Sequence, residues 1–190
     1  MILAQWRARR ANRILIDQLH GKIVAAARRP ALYADFEVPD TYEGRFEMVV
    51  LHSGLVMRRL TGAPGLGAEL AQELADSVFR HFDVALREIG VSDVGVPKRL
   101  KKMAAAFYGR NNAYGEGLDQ GPDDVLAAAL ARNVYGVGDV ASAPPASDLA
   151  RYVRATADAL EQIPLETFAS GDVAFPEAQR SLVPAWGAHG

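Results

Sequence analysis

The chain has 190 residues, 49% of them hydrophobic and 23% charged, with a net charge of −2, the composition of a water-soluble domain with its own core. It has no cysteine, which excludes disulfides, thiolate metal sites and cysteine nucleophiles and fits a reducing compartment. No apolar run nears the roughly 20 residues that span a bilayer, and apolar residues precede Arg7, Arg9 and Arg10, the reverse of a secretory leader, so the chain is expected to stay where it is made.

In chain order, residues 11–29 set Ile14, Leu15, Leu19 and Ile23 at helical steps on one face, with basic residues elsewhere and Pro30 as the stop. Ala31 to Pro39 reads as an extended connector. Asp40 and Glu43 have the spacing of a capping box and predict a helix through Leu60, with Phe46, Val49, Val50, Val56 and Leu60 available to the core. Gly54 lies inside that helix, where glycine costs about 1 kcal/mol against alanine, so a close neighbouring helix is expected there.

The run Thr61 to Gly67 breaks the pattern. Leu70, Leu74, Val78, Phe82 and Leu86 then follow four residues apart, the strongest helical signal in the chain. Gly90 is the expected left-handed terminator, with Leu86 and Val91 placed to touch in a Schellman cap. Pro97 suits the first turn of a helix carrying Leu100, Met103, Ala104 and Phe107 and stopping at Gly109. Asp123 and Asp124 open another, with Leu126, Leu130 and Val134, ended by Gly136. Ser147 is placed to cap a last helix bearing Leu149, Val153, Thr156, Leu160 and Ile163. Beyond Pro164 the pattern lapses, with Phe168, Phe175 and Trp186 scattered among glycine and proline. The reading is all-α: a single-domain bundle of about six helices with an irregular C-terminal tail.

Charge is uneven along the chain. Residues 116–190 hold four basic and eleven acidic side chains, a net −7 against +5 for the rest, which suits an oriented encounter with a charged partner as well as chance drift. Chemistry is harder to find. Among His20, His52, His81 and His189 there is no HExxH and no Glu-x-x-His. His52 and His81 read as surface or half-buried residues. The stretch Gly62 to Gly67 lacks the Gly-Lys-Ser/Thr ending of a phosphate loop, and Ser53 lacks a nucleophile elbow. No catalytic, cofactor-binding or metal-binding residue is expected, and no small-molecule substrate.

Residues 98–115 are distinctive. Lys98, Lys101 and Lys102 share one helical face, beside an apolar strip that leads into an aromatic, glycine-flanked turn, Phe107-Tyr108-Gly109-Arg110. Such a surface suits nucleic acid, an acidic headgroup layer or an apolar peptide with charged ends, and equally a solvated basic face over a core that takes up Phe107 and Tyr108.

With its neighbours this segment resembles the ubiquinol-cytochrome c chaperone family. The likeness rests on four ordered stretches: Leu51-His52 through Arg58-Arg59-Leu60, Ala75-Asp76 through Phe82-Asp83 to Leu86–Val91, Asp93 to Lys98, and Phe107-Tyr108-Gly109-Arg110 with Ala113-Tyr114. The resemblance implies an all-helical, non-enzymatic assembly chaperone for the cytochrome bc1 complex. Its client would be newly synthesised cytochrome b, and peripheral membrane or ribosome association goes with that role. The N-terminus lacks an organelle-targeting pattern, so a bacterial, cytoplasmic protein, peripheral at the inner face of the membrane, is expected. The resemblance covers residues 35–165 as a chaperone domain, and the residues themselves set off a basic N-terminal helix (1–34) and an irregular tail (166–190).

The residues expected to meet the partner are Arg58, Arg59, Lys98, Lys101, Lys102, Phe107, Tyr108, Gly109, Arg110 and Tyr114, as an apolar groove with a positively charged border. Two other classes stay open: a nucleic-acid or ribosome-surface binder using Arg7, Arg9, Arg10, Arg13 and Lys22, and a helical small-molecule binder marked by a closed pocket.

Overall fold

The structure is a computed structural model that describes residues 2–65, 67–119 and 121–180, with side chains from residue 11 onward except Leu165 and Ala169. The side chains of Arg7, Arg9 and Arg10, and all of Trp186 and His189, lie outside the described residues. Every regular element among those described is helical: α1 Ile2–Ala27, α2 Pro30–Ala34, α3 Tyr42–Thr61, α4 Gly67–Glu88, α5 Gly95–Asp119, α6 Asp123–Asn133, α7 Pro145–Gln162 and α8 Leu165–Ala169. The six long helices are the six expected, and two five-residue helices join them.

α3 is the hub. It packs on α1, α4, α5 and α7, and Met48, Val50, Leu51, Val56 and Leu60 are buried along it. α1 supplies Leu15, Ile16, Leu19 and Ile23 to the same core, although Ile14 points outward, 51% exposed. The four-residue row on α4 packs as its spacing demands: Leu74, Val78, Phe82 and Leu86 are all buried. Its C-terminus is the anticipated Schellman cap. Gly90 has φ +83, the Val91 N–H donates to the Leu86 carbonyl at 3.0 Å and the Gly90 N–H to that of Arg87 at 3.0 Å.

Several local readings are corrected. Residues 30–34 form α2 rather than an extended connector, because Pro30 takes the first helical position, where its missing N–H costs nothing. Thr41 caps α3, accepting from the Gly44 N–H at 3.1 Å, while Asp40 pairs with Arg45 at 2.7 Å. α7 starts at Pro145 rather than after Ser147. Most consequentially, α5 does not stop at Gly109 but runs on to Asp119. Gly109 lacks a positive φ, and a glycine without one interrupts nothing; its helical cost is met by the packing of Phe107 and Tyr114.

The α5–α6 turn is held from α7. Arg154 donates to the carbonyls of Gly117, Leu118 and Gly121 at 3.0, 3.2 and 3.0 Å and pairs with Asp123 at 2.6 Å. The segment after α8 packs irregularly, as its composition suggested: Val173 and Phe175 are buried, and Arg29 donates to the carbonyls of Phe175 and Pro176.

A candidate client groove and a separate basic face

A groove of about 740 Å³ runs between α3 and α5, open to solvent on one side. Its floor is apolar, from Leu51, Leu55 and Tyr114, all buried, with Met57 and Leu118 partly exposed. Gly54 lets the walls stand close together. A Cβ placed on Gly54 would stand 2.2 Å from Asn111 Oδ1, so the close helix approach expected at Gly54 is present, made by α5. The Asn111 amide is buried in this wall with neither its nitrogen nor its oxygen hydrogen-bonded. Nothing in the sequence marked Asn111, because its burial depends on a residue 57 positions away.

The ten residues proposed from sequence do not form one surface. Arg58, Tyr108, Gly109 and Tyr114 line the groove. Arg58 is ion-paired across it with Asp119, at 2.6 Å, and Glu116 lies on the same rim, so this border is of mixed charge rather than positive. Tyr108 is half exposed. Phe107 is fully buried in an aromatic cluster, its ring 5.2 Å from that of Phe79. The bend expected at Phe107-Tyr108-Gly109-Arg110 is straight helix, so residues one apart diverge: Phe107 turns inward while Tyr108 turns out.

Arg59 and Arg110 serve the fold. Arg59 donates to the carbonyls of Leu160 and Ile163 at the end of α7, at 3.2 and 3.0 Å, and its guanidinium lies over the Phe168 ring. Arg110 binds Glu47 at 2.5 Å and lies over Phe46. Glu47 is buried, and desolvation pushes its carboxyl up to about 7 against the opposing pull of Arg110. Burial, and then the nearby Glu47 carboxylate, likewise holds the Tyr114 hydroxyl well above its ordinary range.

Lys98, Lys101 and Lys102 are exposed on the N-terminal half of α5 and share one face. Lys98, Lys101 and Lys102 precede Tyr108 by ten, seven and six positions, about 9–15 Å along the helix. The groove and the basic face are therefore neighbours on one helix rather than one site.

His52 is also corrected: it is fully buried, not half exposed. His20 and His81 pack edge to face with centroids 5.3 Å apart, and His20 Nδ1 lies 2.6 Å from Ser77 Oγ. Burial lowers the pKa of both histidines. Part of the charge asymmetry along the chain is consumed internally, through Lys22–Asp172, Arg58–Asp119 and Arg59–Glu161. Among the described residues no helix is long and apolar enough to cross a membrane.

Comparison with known proteins adds an independent line. Residues 34–175 match the family described as ubiquinol-cytochrome C chaperone. The crystal structure of the Cbp3 homolog from Brucella abortus superposes with a TM-score of 0.83 at 42% identity, covering 97% of this chain and 100% of that one. The mitochondrial protein CBP3 of Saccharomyces cerevisiae is 27% identical over 146 residues, 75% of this chain and 43% of the yeast protein. The chain thus spans less than half the length of that relative.

Proposed function

This chain belongs to the ubiquinol-cytochrome C chaperone family, and from that premise we propose that it is a non-enzymatic assembly factor for ubiquinol-cytochrome c reductase that receives newly made cytochrome b. The observation that carries the reading is the family match over most of the chain, together with the close superposition on a solved Cbp3 homolog. Residues 35–165 are the client-handling unit in this reading, acting on the cytoplasmic side of a bacterial membrane.

The groove between α3 and α5 is where a client segment fits. Cytochrome b is a membrane protein, and its apolar spans have no stable state in water until they are covered. An apolar trough with polar rims suits helix-in-groove recognition. At about 740 Å³ it takes a few side chains of a client, not a whole span, which is about 30 Å long. Tyr108, half exposed at the rim, adds an amphipathic contact.

The test is genetic and biochemical. Deleting the gene is expected to lower cytochrome b and assembled bc1 complex, and restoring it to recover both. Gly109→Leu fills the groove mouth at an exposed position where an added Cβ meets nothing within 4 Å; it should fold normally yet co-purify less cytochrome b. Normal bc1 assembly in the deletion strain would refute the function. Undiminished capture by a folded Gly109→Leu protein would move the client site elsewhere.

A further inference from the structure

We propose that the corner joining α4 to α5, residues 89–102, is a docking face for a bilayer containing anionic lipid. This rests on the assembly reading for its purpose, since a factor receiving a membrane subunit must meet the membrane, but its evidence is separate.

The corner is tightly built. Beyond the Schellman cap, the N–H groups of Gly95 and Val96 both donate to the Ser92 carbonyl, at 2.8 and 3.0 Å. Arg87 binds Asp83 at 2.8 Å and also Asp93, and Val96 is fully buried as an anchor. Even so, the corner turns two aliphatic side chains into solvent: Ile89 is 55% exposed and Val94 is 90% exposed. A connection able to bury Val96 but presenting Val94 holds an apolar tip in fixed position, with little ordering cost on insertion.

Behind the tip the charge is one-sided. Residues 94–115 contain five cations (Lys98, Arg99, Lys101, Lys102 and Arg110) and no carboxylate. Lys98, Arg99, Lys101 and Lys102 are exposed, and among the described residues none has a carboxylate within 4 Å. The first turn of α5 holds no acid either, so the helix dipole adds to the positive field. Within residues 83–102, Asp83 and Asp93 are tied to Arg87, which leaves Glu88 as the carboxylate outside an ion pair.

An aliphatic tip collared by lysines fits a lipid surface better than nucleic acid. Valine and isoleucine gain free energy by entering the headgroup–acyl boundary while lysines meet phosphates. Bases instead reward aromatic faces for stacking, and residues 89–102 contain no aromatic, with Arg99 as the one arginine among three lysines.

The test uses the purified full chain floated with vesicles of phosphatidylcholine alone and of an equal mixture with phosphatidylglycerol. Binding is expected only to the mixture, weakening as salt rises. Reversing Lys98, Lys101 and Lys102 to glutamate together should lower partitioning by at least about a hundredfold, and Val94→Asp several-fold, with both proteins still helical by circular dichroism. Arg13→Glu, exposed on α1, should change nothing. Failure of the unaltered protein to float, or equal flotation of the lysine-reversed protein, overturns the proposal. So does tight capture of ribosomal RNA without vesicle binding. A protein that captures cytochrome b but never floats loses this face alone, whereas one that floats but captures no cytochrome b keeps the face and loses the assembly reading.

Discussion

His52 on α3 and Tyr152 on α7, a hundred residues apart, share a buried hydrogen bond of 2.9 Å. The His52 Nδ1–H donates to the Met48 carbonyl at 2.7 Å, so the ring is the neutral tautomer and its Nε2 accepts from the Tyr152 hydroxyl. The edge of Phe175 closes the site, with centroids 5.5 Å apart. Hub helix, α7 and C-terminal segment are joined at this one imidazole.

His52→Leu should therefore destabilise the fold by about 2–4 kcal/mol, through the lost bonds and the orphaned tyrosine hydroxyl. Adding Tyr152→Phe should recover part of that loss, because the orphaned group is removed. Urea denaturation of the two single variants and the double measures it; strictly additive costs would contradict the coupling.

Two buried groups oppose each other in acid. Burial drives His52 from 6.5 down to about 4, so as pH falls through that window the unfolded chain binds a proton that the native state refuses, and stability drops. Burial drives Glu47 from 4.5 up to about 7. Here the native state holds the extra proton, and stability falls as pH rises through the window. Between about 4.5 and 6.5 the slopes cancel in part. Glu47→Gln should remove one of them, so its melting temperature falls more steeply than that of the unaltered protein as pH is lowered across this range. Parallel profiles would disprove the assignment.

Asn111 leaves no room for a side chain at position 54. Gly54→Ala should cost about 1–3 kcal/mol from overpacking, less about 1 kcal/mol of gained helix propensity. Shortening the obstacle with Asn111→Ala should restore the variant to near its parent. Thermal melts decide the matter: a Gly54→Ala protein as stable as its parent would place the two helices further apart.

Glycines on α5 should differ sharply in their tolerance. A Cβ on Gly117 would lie 2.8 Å from the Leu126 Cα, and backbone does not yield, so Gly117→Ala should loosen the α5–α6 packing and cost about 1–3 kcal/mol. Gly109 meets nothing and is helical; Gly109→Ala should leave stability unchanged or raise it by up to about 1 kcal/mol. Destabilisation at Gly109 would restore the turn that sequence alone suggested.

The contrast at Gly109 shows where sequence stops informing. A helix-terminating glycine needs a positive φ, and Gly90 and Gly109 look alike as letters. Gly90 is read correctly because Leu86 and Val91 complete a local cap around it. Gly109 is misread because what carries α5 onward is the burial of Phe107 and Tyr114 against distant helices. The candidate site follows the same division: Arg58, Tyr108, Gly109 and Tyr114 reach the groove, while Arg59, Phe107 and Arg110, equally plausible by residue type, turn into the fold.

Apolar spacing and end caps alone determined that the chain is all-helical and about where its six long helices lie, because those signals act over a few residues and are written consecutively; the family resemblance came from four ordered stretches of residues. Only the tertiary structure decided that His52 is a core residue, that Asn111 meets Gly54, that Asp119 neutralises Arg58, and that the lysine face stands about 9–15 Å along α5 from the groove. Each of these depends on which helix faces which, and that is settled by burial summed over the whole bundle rather than by any local stretch of chain.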